Sequence, residues 1–402
     1  MTKTPSILRL DNVVRDYEWG SRTAIPELLG IEASETPAAE LWMGAHPDDP
    51  SRWRDHPDVP GLDELISADP EDYLGPAAIQ QFGPRLPFLL KVLAADKALS
   101  MQVHPNREQA QRGFAAENER GIPADAAERN YADANHKPEL ACAVTEFDAW
   151  CGFRPVDQTL RLFDALDVVE LRRYRDLLAA GDGLRATFTT LLTLQGDVRR
   201  ELVRAVIAGC RRLASSGREW SAEAAASVLA EQDFPDDVGA VLALLLNYVR
   251  LAPGEAIFLG AGNVHAYLRG VCVEILANSD NVLRCGLTPK HIDVPELLRV
   301  ADFSPLEQPR WPSRRISEHA TVFEVPVPDF QLARIDLTDW DSVGLPVVGP
   351  SIICTLEGEL KVSAGTEEVA LPRGQAVFVS AAAAPPRLVG SGLGFAASAH
   401  LT

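Results

Sequence analysis

Hydrophobic spacing divides the chain into three textures. From the N-terminus to about residue 155, short apolar runs are broken by Pro and Gly, as in LPFLLKVLAADKALSMQVHPN (86–106). That spacing predicts strands and loops with a few helical turns. Between about 156 and 248, apolar residues recur every three or four positions. The segments are VDQTLRLFDALDVVELRRYRDLLAAGDGL, FTTLLTLQGDVRRELVRAVIAGCRRLA, SAEAAASVLAEQDF and DDVGAVLALLLNYVRL. Gly-Asp and Ser-Ser-Gly breaks separate them, so this stretch predicts a set of amphipathic helices. From 251 onward the strand texture returns.

The strand texture also repeats. LAPGEAIFLGAGNVH (251–265) aligns with LPRGQAVFVSAAAAP (371–385), matching Leu251 with Leu371, Gly254 with Gly374 and Phe258 with Phe378. A glycine turn followed by an alternating strand is common β-sandwich grammar. The hairpin-like CTLEGELKVSAG (354–365) strengthens the expectation of a second jelly-roll unit. His265 ends the first copy and Pro385 the second, so one unit is expected to be chemically active and the other structural.

Within MQVHPN (101–106), strand alternation puts Gln102 and His104 on one face and Met101 and Val103 on the other. His265 closes a G-x-x-H at a second strand end. In NHKPEL (135–140), Pro138 forces Lys137 into an extended conformation, so Lys137 and Glu139 project to the same side. Gln102, His104, Glu139 and His265 together offer two imidazoles, a carboxylate and an amide oxygen. That donor set suits Zn²⁺ with one position open for water or substrate. His46, His56, His291, His319 and His400 read as ordinary core or surface residues. In GVCVEIL (270–276), Glu274 is an acid on an apolar strand. The polar turn ANSDNVLRCG then delivers Arg284, Lys290 follows, and a helix is expected to start near Pro295.

Length and charge narrow the function. At 402 residues the chain exceeds one compact core, and two or three domains are expected. A formal charge of −19 argues against a nucleic-acid partner. It also requires any anionic ligand to find a local cluster of Lys and Arg. The N-terminus lacks the apolar core of a signal peptide and no apolar run reaches transmembrane length, so no membrane association is expected and the cytoplasm is the expected compartment. The six cysteines form no CxxC pair and lie mostly in apolar runs, so they read as buried, reduced thiols.

Seven blocks, in order, resemble the type I mannose-6-phosphate isomerase family: DYEWGS (16–21), AELWMGAHP (39–47), residues 86–106, GIPADAAERNYADANHKPEL (121–140), LAPGEAIFL (251–259), HAYLRG (265–270) and EILANSDNVLRCGLTPKHID (274–293). The resemblance implies a mainly β bicupin fold, two jelly-roll β-barrels with an α-helical insertion. Residues 1–155 and 249–305 would form the zinc-binding cupin, 156–248 the helical domain, and 306–402 a metal-free cupin. It implies one zinc per chain on Gln102, His104, Glu139 and His265, and interconversion of mannose 6-phosphate and fructose 6-phosphate through an enediol. Catalytic roles would fall among Arg284, Glu274 and Lys137. Phosphate would fall to Ser100 and Lys290, with Lys91 a weaker candidate, and Trp19 and Glu40 would line the pocket. A monomer acting on a small sugar phosphate, with no partner protein, is expected. Competing readings are a sugar-phosphate-binding cupin without activity, an isomerase of another aldose phosphate, and a non-haem Fe(II) oxygenase, which two histidines and a carboxylate also describe. The glutamine and the clustered cations weigh against the last. A nucleotidyltransferase activity is disfavoured because no Gly-rich nucleotide loop is visible.

Overall fold

The computed structural model describes residues 5–33, 35–345 and 347–401. Two sheets, of eleven and nine strands, form the frame. The central path of the first runs Arg310–Trp311, Ala256–Leu259, Glu139–Ala143, His265–Ala277, Phe88–Ala95, Glu40–Gly44, Val13–Arg15. The second runs Ile7–Asp11, Ala376–Val379, Ser351–Ala364, Arg387–Ser398, Gln331–Gly344, Ala320–Phe323, Arg314–Arg315, with Arg52–Trp53 beyond Ile7–Asp11. Position for position the two orders correspond, and every pairing along them is antiparallel.

The repeat seen in the sequence is the hinge of this correspondence. Gly254 (φ +88°) and Gly374 (φ +79°) adopt the left-handed conformation that glycine takes most readily. Each donates its N–H across to the neighbouring strand, to Ala143 O and Thr355 O, both at 2.8 Å. The strands that follow then pair in one register, Ala256 opposite Cys142 and Ala376 opposite Cys354. Cys142 and Cys354 meet in a single apolar core, with Leu41, Val92 and Val273 from one sheet and Leu332, Phe378 and Phe395 from the other. Burial of that shared face holds the sheets together.

The sheets exchange strands. Ile7–Asp11 pairs with Ala376–Val379, and Arg310–Trp311 pairs with Ala256–Leu259. The chain's first strand thus completes the sheet built by its last hundred residues, across the boundary expected from sequence.

Between Phe147–Phe153 and Leu246–Leu251 lie the helices Val156–Leu166, Arg172–Leu178, Gly183–Leu192, Gly196–Ala214 and Ser221–Asp233. Their apolar stripes (Leu162, Phe188, Val203, Val206, Ile207 and Cys210) share a core with Met101, Val103 and Trp150 from the strands beneath. The fourth predicted helix is only partly helical. Gly239–Leu242 is one turn, followed by a 3-10 turn over Ala243–Leu245, and Leu246–Leu251 is a strand. Pairing with Phe147–Phe153 overrides the helical spacing there. Conversely, the first texture hides more helix than expected. Arg107–Glu119 makes more than three turns behind a capping box of Asn106 and Gln109. Among the described residues no helix is long and apolar enough to cross a membrane.

Candidate active site and metal centre

Met101–Val103 alternates as expected: Met101 and Val103 are fully buried while Gln102 faces a cleft. His104 follows at the strand end, also fully buried. Gln102 pairs in register with His265 on one side and with Arg284 on the other. Arg284 therefore sits on a short strand, Leu283–Gly286, and not on a turn as expected, because that segment finds Met101–Val103 as a partner. Long strand His265–Ala277 changes neighbours at Gly270 (φ +111°), where a Cβ would lie 2.3 Å from Glu146 O. Its first part lies against Gln102, and its second part carries Glu274 into the main sheet beside Glu139–Ala143.

His104, Glu139 and His265 converge, each with a ligand atom within 4.8 Å of the others. His104 Nδ1 lies 2.7 Å from Asn281 O, and His265 Nδ1 lies 2.9 Å from Asn263 O. Each Nδ1 therefore carries the proton, since a carbonyl can only accept. The lone pairs of both Nε2 atoms face Glu139, 3.4 Å from Oε1 and Oε2. His104 Nε2, His265 Nε2 and Glu139 Oε2 are buried without a hydrogen-bond partner. Three buried acceptors aimed at one another are costly unless a cation sits between them. Two imidazoles and a carboxylate, with the Gln102 amide beside them, fit zinc. Burial pushes the His104 ring down to about 4, so it is neutral and free to coordinate at physiological pH. Burial opposes ionisation of Glu139, but the Lys137 ammonium beside it favours the carboxylate, and the carboxyl lies below its usual range. Lys137 Nζ lies 3.2 Å from Glu139 Oε1, the same-side arrangement that Pro138 predicts.

A second buried group lies across the same sheet face. Trp42, Lys91, Glu274 and Ala141 form one row across four strands. Lys91 Nζ is 3.4 Å from Glu40 Oε2 and 3.6 Å from Glu274 Oε2. Its ammonium is engaged by two carboxylates and is not free for an anion. Tyr267 Oη donates to Glu274 Oε1 at 2.7 Å, and Trp42 Nε1 donates to Glu40 Oε2 at 2.6 Å. Burial, reinforced by the charge of Glu139, pushes Glu274 up to about 7 despite Lys91. The corresponding row of the other sheet is Val322, Ala333, Ala396 and Ile353. The same scaffold thus carries charge in one sheet and hydrocarbon in the other.

These groups open on one cleft of 560 Å³, which also reaches Trp19, Lys97, Ser100 and Lys290. At that end two cations stand together. Burial lowers the Arg284 pKa, and Arg284 in turn lowers that of Lys290. Among the described residues no carboxylate lies within 4.0 Å of either. Mutual repulsion without a counter-charge is the signature of an anion site. Trp19 stacks on Tyr17 at 5.7 Å, and its carbonyl accepts from Asp96 and Lys97 N–H.

Ten of the twelve site residues expected from sequence line this cleft, and the other two, His104 and His265, converge on Glu139 in its wall. Sequence reasoning missed Tyr267, Trp42 and Asp280. Tyr267 was legible as the second residue after His265 on the same strand face. Asp280 lies 3.1 Å from His46 Nε2, while His46 Nδ1 accepts from Asp48 N. Both nitrogens of His46 are thus occupied, in keeping with an ordinary core histidine.

Residues 7–156 match the model of the phosphomannose isomerase type I catalytic domain. The mannose-6-phosphate isomerase of Escherichia coli (strain K12) is 38% identical over 392 residues, covering 96% of this chain and 97% of that protein. The mannose-6-phosphate isomerase of Homo sapiens is 31% identical over 417 residues, covering 94% of each. Among solved structures, the Salmonella typhimurium mannose 6-phosphate isomerase bound to fructose 6-phosphate and zinc superimposes with a TM-score of 0.88 at 37% identity, covering 99% of this chain and all of that one. By likeness along nearly its whole length, the chain belongs to the type I phosphomannose isomerases.

Proposed function

We infer that the chain interconverts D-mannose 6-phosphate and D-fructose 6-phosphate at a zinc site. The observation that carries this is the presence of a metal-ligand trio and a pair of cations lacking carboxylate partners in one cleft. A sugar phosphate needs both ends at once, the carbonyl between the metal and Arg284 and the phosphate at Lys290.

The reaction moves a proton between C1 and C2 through an enediol, while a hydroxyl proton passes between the adjacent O1 and O2. Bound zinc supplies Lewis-acid stabilisation for the charge that develops on the substrate oxygens. Glu274 exchanges the proton: its two oxygens are held by Tyr267 and Lys91, and burial raises its carboxyl from the ordinary range toward neutrality, where it both accepts and returns a proton. Arg284, next to Gln102 on the neighbouring strand, stabilises the developing oxyanion. Lys137 orients Glu139 through its ion pair. Ser100 and Lys290 hold the phosphate, and Lys91, already engaged, tunes Glu274. Trp19 and Glu40 shape the wall.

The matching strand orders support a bicupin, with residues 156–248 as a helical insertion and the apolar counterpart row marking the metal-free cupin. A single chain supplies every residue invoked, so the working unit is the monomer. The six free, buried cysteines suit the cytoplasm. The test is conversion of mannose 6-phosphate before metal stripping, after it, and with zinc restored. Loss and recovery support the reading; no conversion by folded, zinc-replete protein overturns it.

A further inference from the structure

The two loops that form the cation end of the cleft are both held by one short turn of the helical region. Asp233 ends the helix Ser221–Asp233, and Asp237 lies four residues on. Asp233 Oδ2 accepts from Ala98 N at 2.8 Å and pairs with Arg269 at 2.9 Å, fixing the segment that leads into Ser100. Asp237 Oδ1 accepts from Gly239 N at 2.6 Å and Leu287 N at 3.1 Å, and Oδ2 accepts from Thr288 N at 3.3 Å. Those last two N–H groups open the segment that leads to Lys290.

The second segment is strained and tightly docked. Leu287 is fully buried at φ +51°, a conformation that a branched side chain rarely adopts. Such strain persists only where the surroundings over-determine it, and it clusters at ligand sites. Here Asp237 accepts the Leu287 N–H directly. Gly239 leaves room for this contact, since a Cβ there would fall 2.6 Å from Leu287 N and 2.9 Å from Asp237 Oδ1. Thr288 Oγ1 then accepts from Lys290 N at 3.1 Å, passing the constraint to the lysine.

We propose that Asp237, with Asp233 beside it, is a positioning residue for the substrate phosphate: the turn 233–239 clamps the loops bearing Ser100 and Lys290 and sets the affinity of that end of the cleft. Asp233 is paired with Arg269, and the Asp237 oxygens are turned to backbone N–H groups. The helical region thereby acts on the site, although it supplies none of the groups assigned to catalysis or metal binding. This rests on the assignment of phosphate to Ser100 and Lys290.

The test compares Asp237→Ala, Asp237→Asn and Lys290→Ala in zinc-loaded protein, reading KM for mannose 6-phosphate, kcat, and competitive inhibition by inorganic phosphate. Asp237→Ala should raise KM and the phosphate inhibition constant roughly tenfold, the scale of one lost positioning hydrogen bond to a buried N–H, with a smaller change in kcat. Asp237→Asn keeps an acceptor for Leu287 N and should recover most of that affinity. If Asp237→Ala does not fold, Gly239→Ala crowds both Leu287 N and the Asp237 carboxylate and should give the same loss. A lowered melting temperature with unchanged phosphate inhibition, in a folded variant of either kind, overturns the clamp. Unchanged inhibition in Lys290→Ala overturns the phosphate assignment itself, and the clamp with it. Weakening by Lys290→Ala alone sinks only the clamp.

Discussion

Gln102 and His265 are register partners on neighbouring antiparallel strands. Directly opposed residues hold their Cβ atoms about 4.5–5.5 Å apart, so this pairing sets an amide beside an imidazole whose Nε2 has no protein hydrogen bond. His265→Ala should abolish stoichiometric zinc and lower activity by roughly a hundredfold or more, beyond the range for outer-shell partners. Metal analysis of the purified variant checks it; full zinc content would remove His265 from the ligand set.

Asp133 acts one layer out. It accepts from Ser279 Oγ, Asn281 Nδ2 and the Asp280 and Asn135 N–H groups, fixing the turn whose Asn281 carbonyl holds His104. Asp133→Ala should weaken zinc binding by about 10–100-fold while leaving the three ligands in place. Competition with a chelator of known affinity measures it.

Lys91 holds the proton affinity of Glu274 down. Removing its ammonium in Lys91→Met should raise the Glu274 pKa, moving the acid limb of the pH–rate profile upward by about one unit or more. A profile that stays in place would detach Glu274 from the rate-limiting proton transfer.

The same carboxyl makes a stability prediction. Its folded pKa of about 7 lies above the ordinary 4.5. The native chain therefore holds this proton more tightly than the unfolded chain, and that contribution is full below about pH 4.5 and lost as pH rises through 7. Glu274→Gln should raise the melting temperature of the metal-free protein more at pH 8 than at pH 5, measured by thermal denaturation.

Arg284→Ala should keep its zinc, because the ligand trio lies on other strands, yet lose turnover by roughly a hundredfold, the scale of one oxyanion-stabilising donor. Metal content and kcat measured on the same sample separate the two effects.

Exchange of strands makes the N-terminus structural. Leu8 is fully buried, pairs in register with Phe378 and lies in the core shared by both sheets. Leu8→Ala should cost about 2–5 kcal/mol, read by denaturant unfolding, although residue 8 lies outside the cleft.

Much of this was local enough to read directly. The alternation in MQVHPN, the restriction that Pro138 places on Lys137, and the repeated glycine turn each depend on residues a few positions apart. Short-range sterics set them, and the structure keeps all three. The charged residues were likewise identifiable one by one, because a polar group in an apolar strand needs a partner.

What the residues alone could not decide is which partner each would find. Leu246–Leu251 carries helical spacing but becomes a strand because Phe147–Phe153 offers unpaired backbone. Arg284 moves from an expected turn onto a strand for the same reason. Lys91 changes from a candidate phosphate ligand to the counter-ion of Glu40 and Glu274, since register sets it between them. Ile7–Asp11 crosses to the other sheet. Turn, alternation and capping are written in neighbouring side chains, whereas pairing, burial and the resulting pKa values depend on groups distant in sequence. The sequence by itself determined the candidate donor set and the local geometry around it; only the tertiary structure decided which charges neutralise one another and which stand without a carboxylate partner.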